Sequence, residues 1–349
     1  MNKKILITGG AGFIGHHIIE HFLKNTEWEI ITMDRLGISG NYHRLTDINT
    51  WEMYKHRVKF IHHDLQSKVN TWLETEIGQV DYIFHLAAST HVDRSIENPM
   101  EFVLDNVVGT TNLLEFARKQ KDLKAFLYFS TDEVFGPAPE GKAYKEWDRY
   151  NSGNPYAAAK AGGEEMCLAF SNTYGVPVII THTMNVFGER QHPEKFIPIC
   201  IRKILNNEKV LIHANKDRTK AGSRFWIHGR NVAGALLFLI KHFEKLPIDE
   251  KGKRIPLADK FNIVGEKEVD NLQIYKLIFK TICELFPNKE WKEDYELVDF
   301  HSSRPGHDLR YALDGSKMQD LGWDLPIMFE QSMKSMIAWT IKNDKWLSR

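Results

Sequence analysis

Residues 5–15 read Ile5-Leu6-Ile7-Thr8-Gly9-Gly10-Ala11-Gly12-Phe13-Ile14-Gly15, and the expected fold grows outward from them. Ile5 to Thr8 is a short β-rich apolar run. The GxxGxxG pattern that follows puts Gly9, Gly12 and Gly15 where a helix opens. Glycines there permit a tight turn, close approach of backbone to a pyrophosphate, and close packing of helix on strand. The helix start adds unpaired N–H groups and the positive end of its dipole. The letters alone are a weak signal; the order strand, turn, helix makes them a strong one. Asp34 ends the second apolar run, Glu29 to Met33, where a carboxylate can accept from the 2′-hydroxyl of an adenosine ribose. Arg35 beside it could tolerate a 2′-phosphate, but Asp34 would repel one, so NAD is expected over NADP. Asp64, after the third run, is placed to meet the adenine, and capping of its own loop explains it equally well. Leu86-Ala87-Ala88 closes the fourth run with small residues where a bulky dinucleotide would lie.

Further short runs at Val58 to Ile61, Tyr82 to Leu86, Ala125 to Ser130 and Val178 to Thr181 alternate with amphipathic stretches. Strands too apolar to have a wet face belong in a parallel sheet covered by helices on both sides. The predicted fold is therefore α/β: a Rossmann-type doubly wound parallel sheet over residues 1–198, followed by a smaller mixed α/β lobe over 199–349 that binds substrate. Some later segments are expected to return to the first domain. The second lobe reads as a helix Ile199 to Asn206, a strand Val210 to His213, a polar loop Asn215 to Gly222, a solvated connection Pro247 to Lys260 and a strand Phe261 to Val264.

Composition narrows the function. Lys and Arg number 46 against 46 Asp and Glu, so the chain lacks the basic excess that nucleic acid or an anionic membrane surface requires. With 42% apolar and 11% aromatic residues it can bury a large core, which excludes disorder. Cys167, Cys200 and Cys283 are far apart and form neither a disulfide framework nor a CxxC pair, which fits a reducing cytoplasm. Runs such as Ala235 to Ile240 fall short of the roughly 20 residues that span a bilayer. The brief apolar run after Met1-Asn2-Lys3-Lys4 predicts no signal peptide. His16, His17 and His21, and His62 with His63, carry no HExxH pattern; they are expected to be solvated helix and strand-end residues, with no metal.

Two further constellations carry chemistry. In Tyr156-Ala157-Ala158-Ala159-Lys160 the i, i+4 spacing puts phenol and ammonium on one helix face. A lysine cation lowers a neighbouring phenol's pKa and makes it a base for a hydroxyl proton as hydride leaves for nicotinamide. Ser130-Thr131-Asp132-Glu133 follows the fifth run, at the strand ends where open α/β sheets bind ligands.

Taken together, these motifs resemble the extended short-chain dehydrogenase/reductase superfamily, and the Thr131-Asp132-Glu133 triplet is similar to its nucleotide-sugar 4,6-dehydratases, especially those acting on dTDP-glucose. The resemblance runs almost end to end, through His91-Val92-Asp93-Arg94-Ser95, Asn106-Val107-Val108-Gly109-Thr110, Asn154-Pro155-Tyr156, Gln191 with Pro193-Glu194-Lys195, and Arg304-Pro305-Gly306-His307-Asp308. It implies a tightly held NAD regenerated in each turnover, a nucleoside-diphosphate sugar substrate, and a homodimer packed through Pro99 to Gln120 and Tyr156 to Tyr174.

Cofactor contacts are expected from Gly9, Gly12, Phe13, Ile14, Gly15, Asp34, Arg35, Asp64, Leu65, Leu86, Ala87, Ala88, Asn106, Tyr156 and Lys160. Substrate contacts are implied for His91, Asn185, Glu194, Lys195, Arg224, Arg304 and His307. In the implied chemistry Tyr156, with Lys160 and Thr131, takes the C4 hydroxyl proton, Glu133 removes the C5 proton and Asp132 protonates the departing C6 hydroxyl. Ser89-Thr90, Glu189-Arg190, Leu211 and His213 depart from the usual pattern and leave base and sugar open. UDP-glucose or a UDP-amino sugar, decarboxylase or 4-epimerase chemistry, and a non-catalytic NAD-bound sensor are the alternatives.

Overall fold

Strand β1 (Lys4–Thr8) sends Ile5 and Ile7 to one face of a sheet and Leu6 to the other, and all three are fully buried. The computed structural model describes residues 3–250, 252, 254–299 and 310–348. The other strands are β2 (Glu29–Asp34), β3 (Val58–His62), β4 (Tyr82–His85), β5 (Ala125–Thr131), β6 (Val178–Thr183), β7 (Asn185–Phe187), β8 (Val210–Ala214), β9 (Ser223–His228), β10 (Ala258–Ile263), β11 (Glu268–Asp270) and β12 (Tyr295–Asp299). Seven of them form one parallel sheet in the order β3-β2-β1-β4-β5-β6-β10. The order reverses direction between β1 and β4, so a crevice opens there beyond the carboxyl ends of the strands. The sheet is the Rossmann type that the sequence predicts.

Each face of the sheet has its own core. On one side Ile18, Ile19, Phe22 and Leu23 of the helix Phe13–Asn25 pack with Val232, Leu236, Leu239 and Ile240 of the helix Gly229–Phe243. On the other, Leu113, Leu114 and Phe116 join Cys167 and Phe170 against Leu6, Ile83, Phe126 and Ile180. A third core gathers Ile197, Cys200, Ile201 and Ile204 with Val210, Ile212, Ile274, Ile278, Met333 and Ile337, beside the small sheets β7-β9-β11 and β8-β12.

The chain after residue 198 therefore contributes to both layers. The predicted strand at Phe261 to Val264 is not part of the small lobe: β10 begins at Ala258 and pairs in parallel with β6, Ala258 opposite Val178. This shortens the predicted connection Pro247 to Lys260, because a backbone entering a sheet must satisfy its hydrogen bonds there.

Two local features position the site. Asn154 caps the helix Pro155–Tyr174: its side chain accepts from Ala157 N at 2.9 Å, Pro155 occupies the first turn, and Gly175 ends the helix with φ +75°. Between the helices Pro99–Val103 and Gly109–Ala117, residues Leu104–Val108 form a single π-helical turn that re-aims Asp105 and Asn106. Among the described residues no helix is long and apolar enough to cross a membrane.

Candidate active site

The turn after β1 works as a cradle because it has no room for side chains. A Cβ on Gly15 would lie 2.2 Å from the Gly9 carbonyl oxygen, one on Gly10 would lie 1.8 Å from Thr32 Oγ1, and Gly9 takes φ +73°. Gly12 is the N-cap of the next helix, so no side chain competes for its first-turn N–H groups. The cleft beyond this cradle has a volume of about 740 Å³. Gly9, Gly12, Phe13, Ile14, Gly15, Asp34, Arg35, Asp64, Leu65, Leu86, Ala87 and Ala88 all line it, as do Thr131, Asp132, Glu133, Tyr156 and Lys160. Such a shape suits an extended dinucleotide with a second ligand beyond its far end.

Asp34 is buried and accepts from Ala11 N at 3.1 Å and Leu36 N at 2.8 Å. Burial raises its pKa, and those two amides oppose the rise. Arg35 is not available for a 2′-phosphate. Its guanidinium is held bidentate by Asp105 at 2.8 and 2.7 Å and reaches Asp64 at 3.3 Å. Burial works against that charge, yet the two carboxylates hold its pKa above the usual arginine value. Asp64 therefore serves Arg35 as well as its own turn, where it accepts from Gln66 N at 2.9 Å.

At the far end of the cleft, Thr131 Oγ1 donates to Asp132 Oδ1 at 3.0 Å. Asn154 Nδ2 donates to Glu133 Oε2 at 3.0 Å. Burial first, and then the Glu133 charge, push Asp132 up to about 7, against a smaller opposing pull from Arg224. Tyr156 and Lys160 share a helix face as predicted, but the ammonium turns to the Phe129 carbonyl at 2.7 Å and lies 4.0 Å over the Tyr128 ring centroid. Burial lowers Lys160 to about 8, with buried Glu164 opposing. Burial and the Glu133 charge raise the Tyr156 phenol, while Thr131 opposes.

His91, Asn185 and Lys195 line the cleft. Asn106, Glu194 and Arg224 are not on its lining: Asn106 clamps the Ser89 backbone in both directions at 2.9 and 3.0 Å, Glu194 accepts from Arg94 at 2.6 Å, and Arg224 stacks on Tyr311 at 4.5 Å. Arg304 and His307 lie outside the described residues. Leu211 and His213, on β8, are also absent from the lining.

Sequence reasoning missed three groups. Asn154 orients Glu133, and the Asn-Pro helix start was its signal. Glu164, four residues after Lys160, is fully buried and bound by Ser130, Tyr150 and His182; its i, i+4 spacing was the only hint. Arg44 is buried and donates to the carbonyls of Arg190 at 2.9 Å, Ala11 at 3.2 Å and Ser39 at 2.6 Å, tying the glycine turn to the unusual Glu189-Arg190 segment, where Arg190 sits at φ +63°. Nothing in sequence spacing announces that.

The histidines correct another expectation. His16 and His17 are not solvated: they are buried at 0 and 1% exposure, ring centroids 4.0 Å apart, with His17 edge-on to His228. Helix Phe13–Asn25 presses this face against Gly188 and Gly229, whose missing side chains make the space. Burial drives both pKa values well below the usual histidine value, with Arg190 and Arg44 adding to the effect at His16, and His16 and His228 at His17. Burial takes His85 down to about 3.

The unfolded chain protonates these rings near pH 6.5, whereas the folded chain does not. Their contribution to stability is thus complete above about pH 6.5 and is lost as pH falls toward the lowered folded values, at up to ~1.4 kcal/mol per group per pH unit. Urea unfolding at pH 7 and pH 5 is expected to show a clear drop in midpoint; equal midpoints would contradict neutral burial. Among the described residues no three or more His, Cys, Asp or Glu are grouped to hold a metal ion.

A glycine cradle at the switch point of a parallel sheet, facing a threonine, a tyrosine and a lysine at the strand ends, defines an extended short-chain dehydrogenase/reductase. The family model "NAD dependent epimerase/dehydratase family" matches residues 5–253, and the chain belongs to that family. It is 36% identical over 366 aligned residues to a dTDP-glucose 4,6-dehydratase of Escherichia coli, covering 99% of this chain and 96% of the relative. Among solved structures, the dTDP-glucose 4,6-dehydratase DesIV of Streptomyces venezuelae, with NAD bound, superposes with a TM-score of 0.83 at 29% identity, covering 99% of each chain. The Bacillus anthracis dTDP-glucose 4,6-dehydratase, in complex with NAD, gives 0.80 at 28% identity over 99% of this chain and 98% of the other.

Proposed function

We propose that this chain is an NAD-dependent hydro-lyase that converts dTDP-glucose to its 4-keto-6-deoxy sugar by oxidation at C4, loss of water across C5 and C6, and reduction at C6. The observation that carries the reading is the Asp132-Glu133 pair beside Thr131 and Tyr156, with Asp132 pushed up to about 7. An elimination needs one carboxyl to take a proton and another to give one, and epimerisation at C4 needs neither.

The residues of the cleft fit NAD: the cradle that a Cβ would fill suits the pyrophosphate, and Asp34 suits an unphosphorylated ribose. Bound NAD supplies the oxidant at C4 and the reductant at C6 within one turnover. Tyr156 takes the C4 hydroxyl proton, with Lys160 and Thr131 beside it. The ketone acidifies C5, and Glu133, held by Asn154, removes that proton. Asp132 protonates the C6 oxygen as it leaves. His91, Asn185 and Lys195 face the sugar nucleotide, with Arg304 and His307 expected to join them. On this reading the strands before residue 198, with β10, carry the dinucleotide, and most of the later chain covers the nucleotide sugar, in the cytoplasm.

Incubation with a panel of sugar nucleotides tests the reading by product mass. Loss of one water from dTDP-glucose is expected; a product that keeps its C6 oxygen, or has lost carbon dioxide, returns the assignment to epimerase or decarboxylase. UDP-glucose belongs in the panel, because one thymine methyl supplies only about 1 kcal/mol of discrimination.

The homodimer is part of the same proposal. Met100, Val103, Leu104 and Val108 leave apolar side chains exposed along the helical stretch 99–108. Sedimentation is expected to give a dimer mass, and Leu104→Asp to reduce it to the monomer; a monomer for the unaltered protein overturns this.

A further inference from the structure

We propose that Asp105, set in place by the π-helical turn, is a second determinant of the choice of NAD over NADP, because it withholds Arg35 from a 2′-phosphate. The inference rests on the NAD assignment above and not on which sugar nucleotide is dehydrated. It adds to the repulsion by Asp34 a separate device, carried on a different element of the fold.

Arg35 follows directly on the acid that ends β2, and it lines the cleft. In a dinucleotide-binding sheet an arginine near that acid is the group that accommodates a 2′-phosphate. Here it is committed elsewhere. Asp105 Oδ1 accepts from Arg35 Nη1 at 2.8 Å and from Gln66 Nε2 at 2.7 Å, while Asp105 Oδ2 accepts from Arg35 Nη2 at 2.7 Å and from Ser89 Oγ at 2.5 Å. These four donors fill the acceptor sites of one carboxylate. They come from the segments that follow β2, β3 and β4, and the π-helical turn Leu104–Val108 carries the buried Asp105 side chain to all three.

A 2′-phosphate would have to break this arrangement. Turning Arg35 outward exchanges one bidentate charge-assisted pair for another, so it gains little, and it leaves a buried carboxylate two bonds short. The surroundings add to the cost. Asp64 and Glu101 stand 3.3 and 3.8 Å from the same guanidinium, so an entering phosphate would meet the carboxylates of Asp34, Asp64, Glu101 and Asp105 around a single arginine. Arg44 is no substitute: it is buried and donates to the carbonyls of Arg190, Ala11 and Ser39. A ribose that carries only hydroxyls needs none of these cations, and Asp34 can accept from it directly.

The test exchanges the purified holoprotein against an equal mixture of NAD and NADP, with isotope-labelled NAD to confirm that exchange is complete, and quantifies the nucleotides released on denaturation. Asp34→Ala removes the repulsion but leaves Arg35 committed. Adding Asp105→Asn to that variant is expected to raise the bound NADP:NAD ratio a further 10–100-fold, about the strength of a charge-assisted hydrogen bond. Loss of a negative charge by itself also favours a phosphate, so the same substitution is made in Asp34→Ala/Arg35→Ala, where its effect should be at least about tenfold smaller. Equal gains with and without Arg35, or no gain in either, overturn the inference and leave the NAD assignment standing. NADP as the main nucleotide of the unaltered protein overturns both. Asp105→Ser is run beside Asp105→Asn; if neither retains any dinucleotide, Asp105 holds the cofactor rather than choosing it, and the inference falls.

Discussion

Replacing Tyr156 by Phe is expected to lower turnover by about 10²–10⁴-fold, the range for loss of a positioned acid–base group, while the purified protein keeps its dinucleotide. The two expectations separate because the anchors are different atoms. On the proposed reading the dinucleotide rests on the Gly9 to Gly15 cradle and on Asp34, at the carboxyl ends of β1 and β2, whereas the phenol sits at the start of the helix Pro155–Tyr174. Phe keeps the ring that packs 6.3 Å from Phe102 and loses only the oxygen. Denaturing the variant and assaying the released nucleotide checks the first half, and initial rates check the second. NADP as the main nucleotide would contradict the reading of Asp34, and undiminished turnover would remove Tyr156 from the chemistry.

Glu133→Gln is expected to cost a similar factor in product formation, but with a different signature. Oxidation at C4 precedes any need for Glu133, because C5 is not acidic until C4 is a ketone. The variant should therefore accumulate reduced-nicotinamide absorbance with little C5 exchange, whereas the unaltered protein in D2O should place deuterium at C5 of the product. The substitution also removes the charge that, after burial, does most to hold Asp132 up at about 7. Asp132 should then ionise at lower pH, and residual elimination, which needs neutral Asp132, should lose its alkaline limb at lower pH as well. Rapid-scan absorbance with mass and NMR analysis of the product distinguishes this from a folding defect, which would abolish the absorbance too.

Much of the site was legible because it depends on short-range geometry. A glycine turn between a strand and a helix has one use at a sheet's switch point, and Tyr156 and Lys160 share a face at any i, i+4 spacing. The same logic does not reach side chains whose environment is made by distant segments. The sequence leaves Arg35 able to tolerate a 2′-phosphate and lets Asp34 decide for NAD; it does not show that the π-helical turn at Leu104–Val108 brings Asp105 onto the guanidinium. Arg224, implied for the diphosphate by resemblance, stacks on Tyr311 from a distant segment and pulls on Asp132. His16 and His17 look like surface residues in the sequence, yet both are buried; Gly188 and Gly229, more than 170 positions away, make the space that takes His17.

The sequence by itself determined the parallel sheet, the glycine turn after its first strand, the acid that ends the second, and the helix face shared by Tyr156 and Lys160, since apolar periodicity and i, i+4 spacing are properties of neighbouring residues. Only the tertiary structure decided their protonation. Burial raises Asp132 to about 7 and lowers Lys160 to about 8, and it does so only because β5 delivers Thr131 and Asp132 beside the capped start of the helix Pro155–Tyr174. Desolvation is a sum over everything packed around a group, so no local stretch of sequence can contain it.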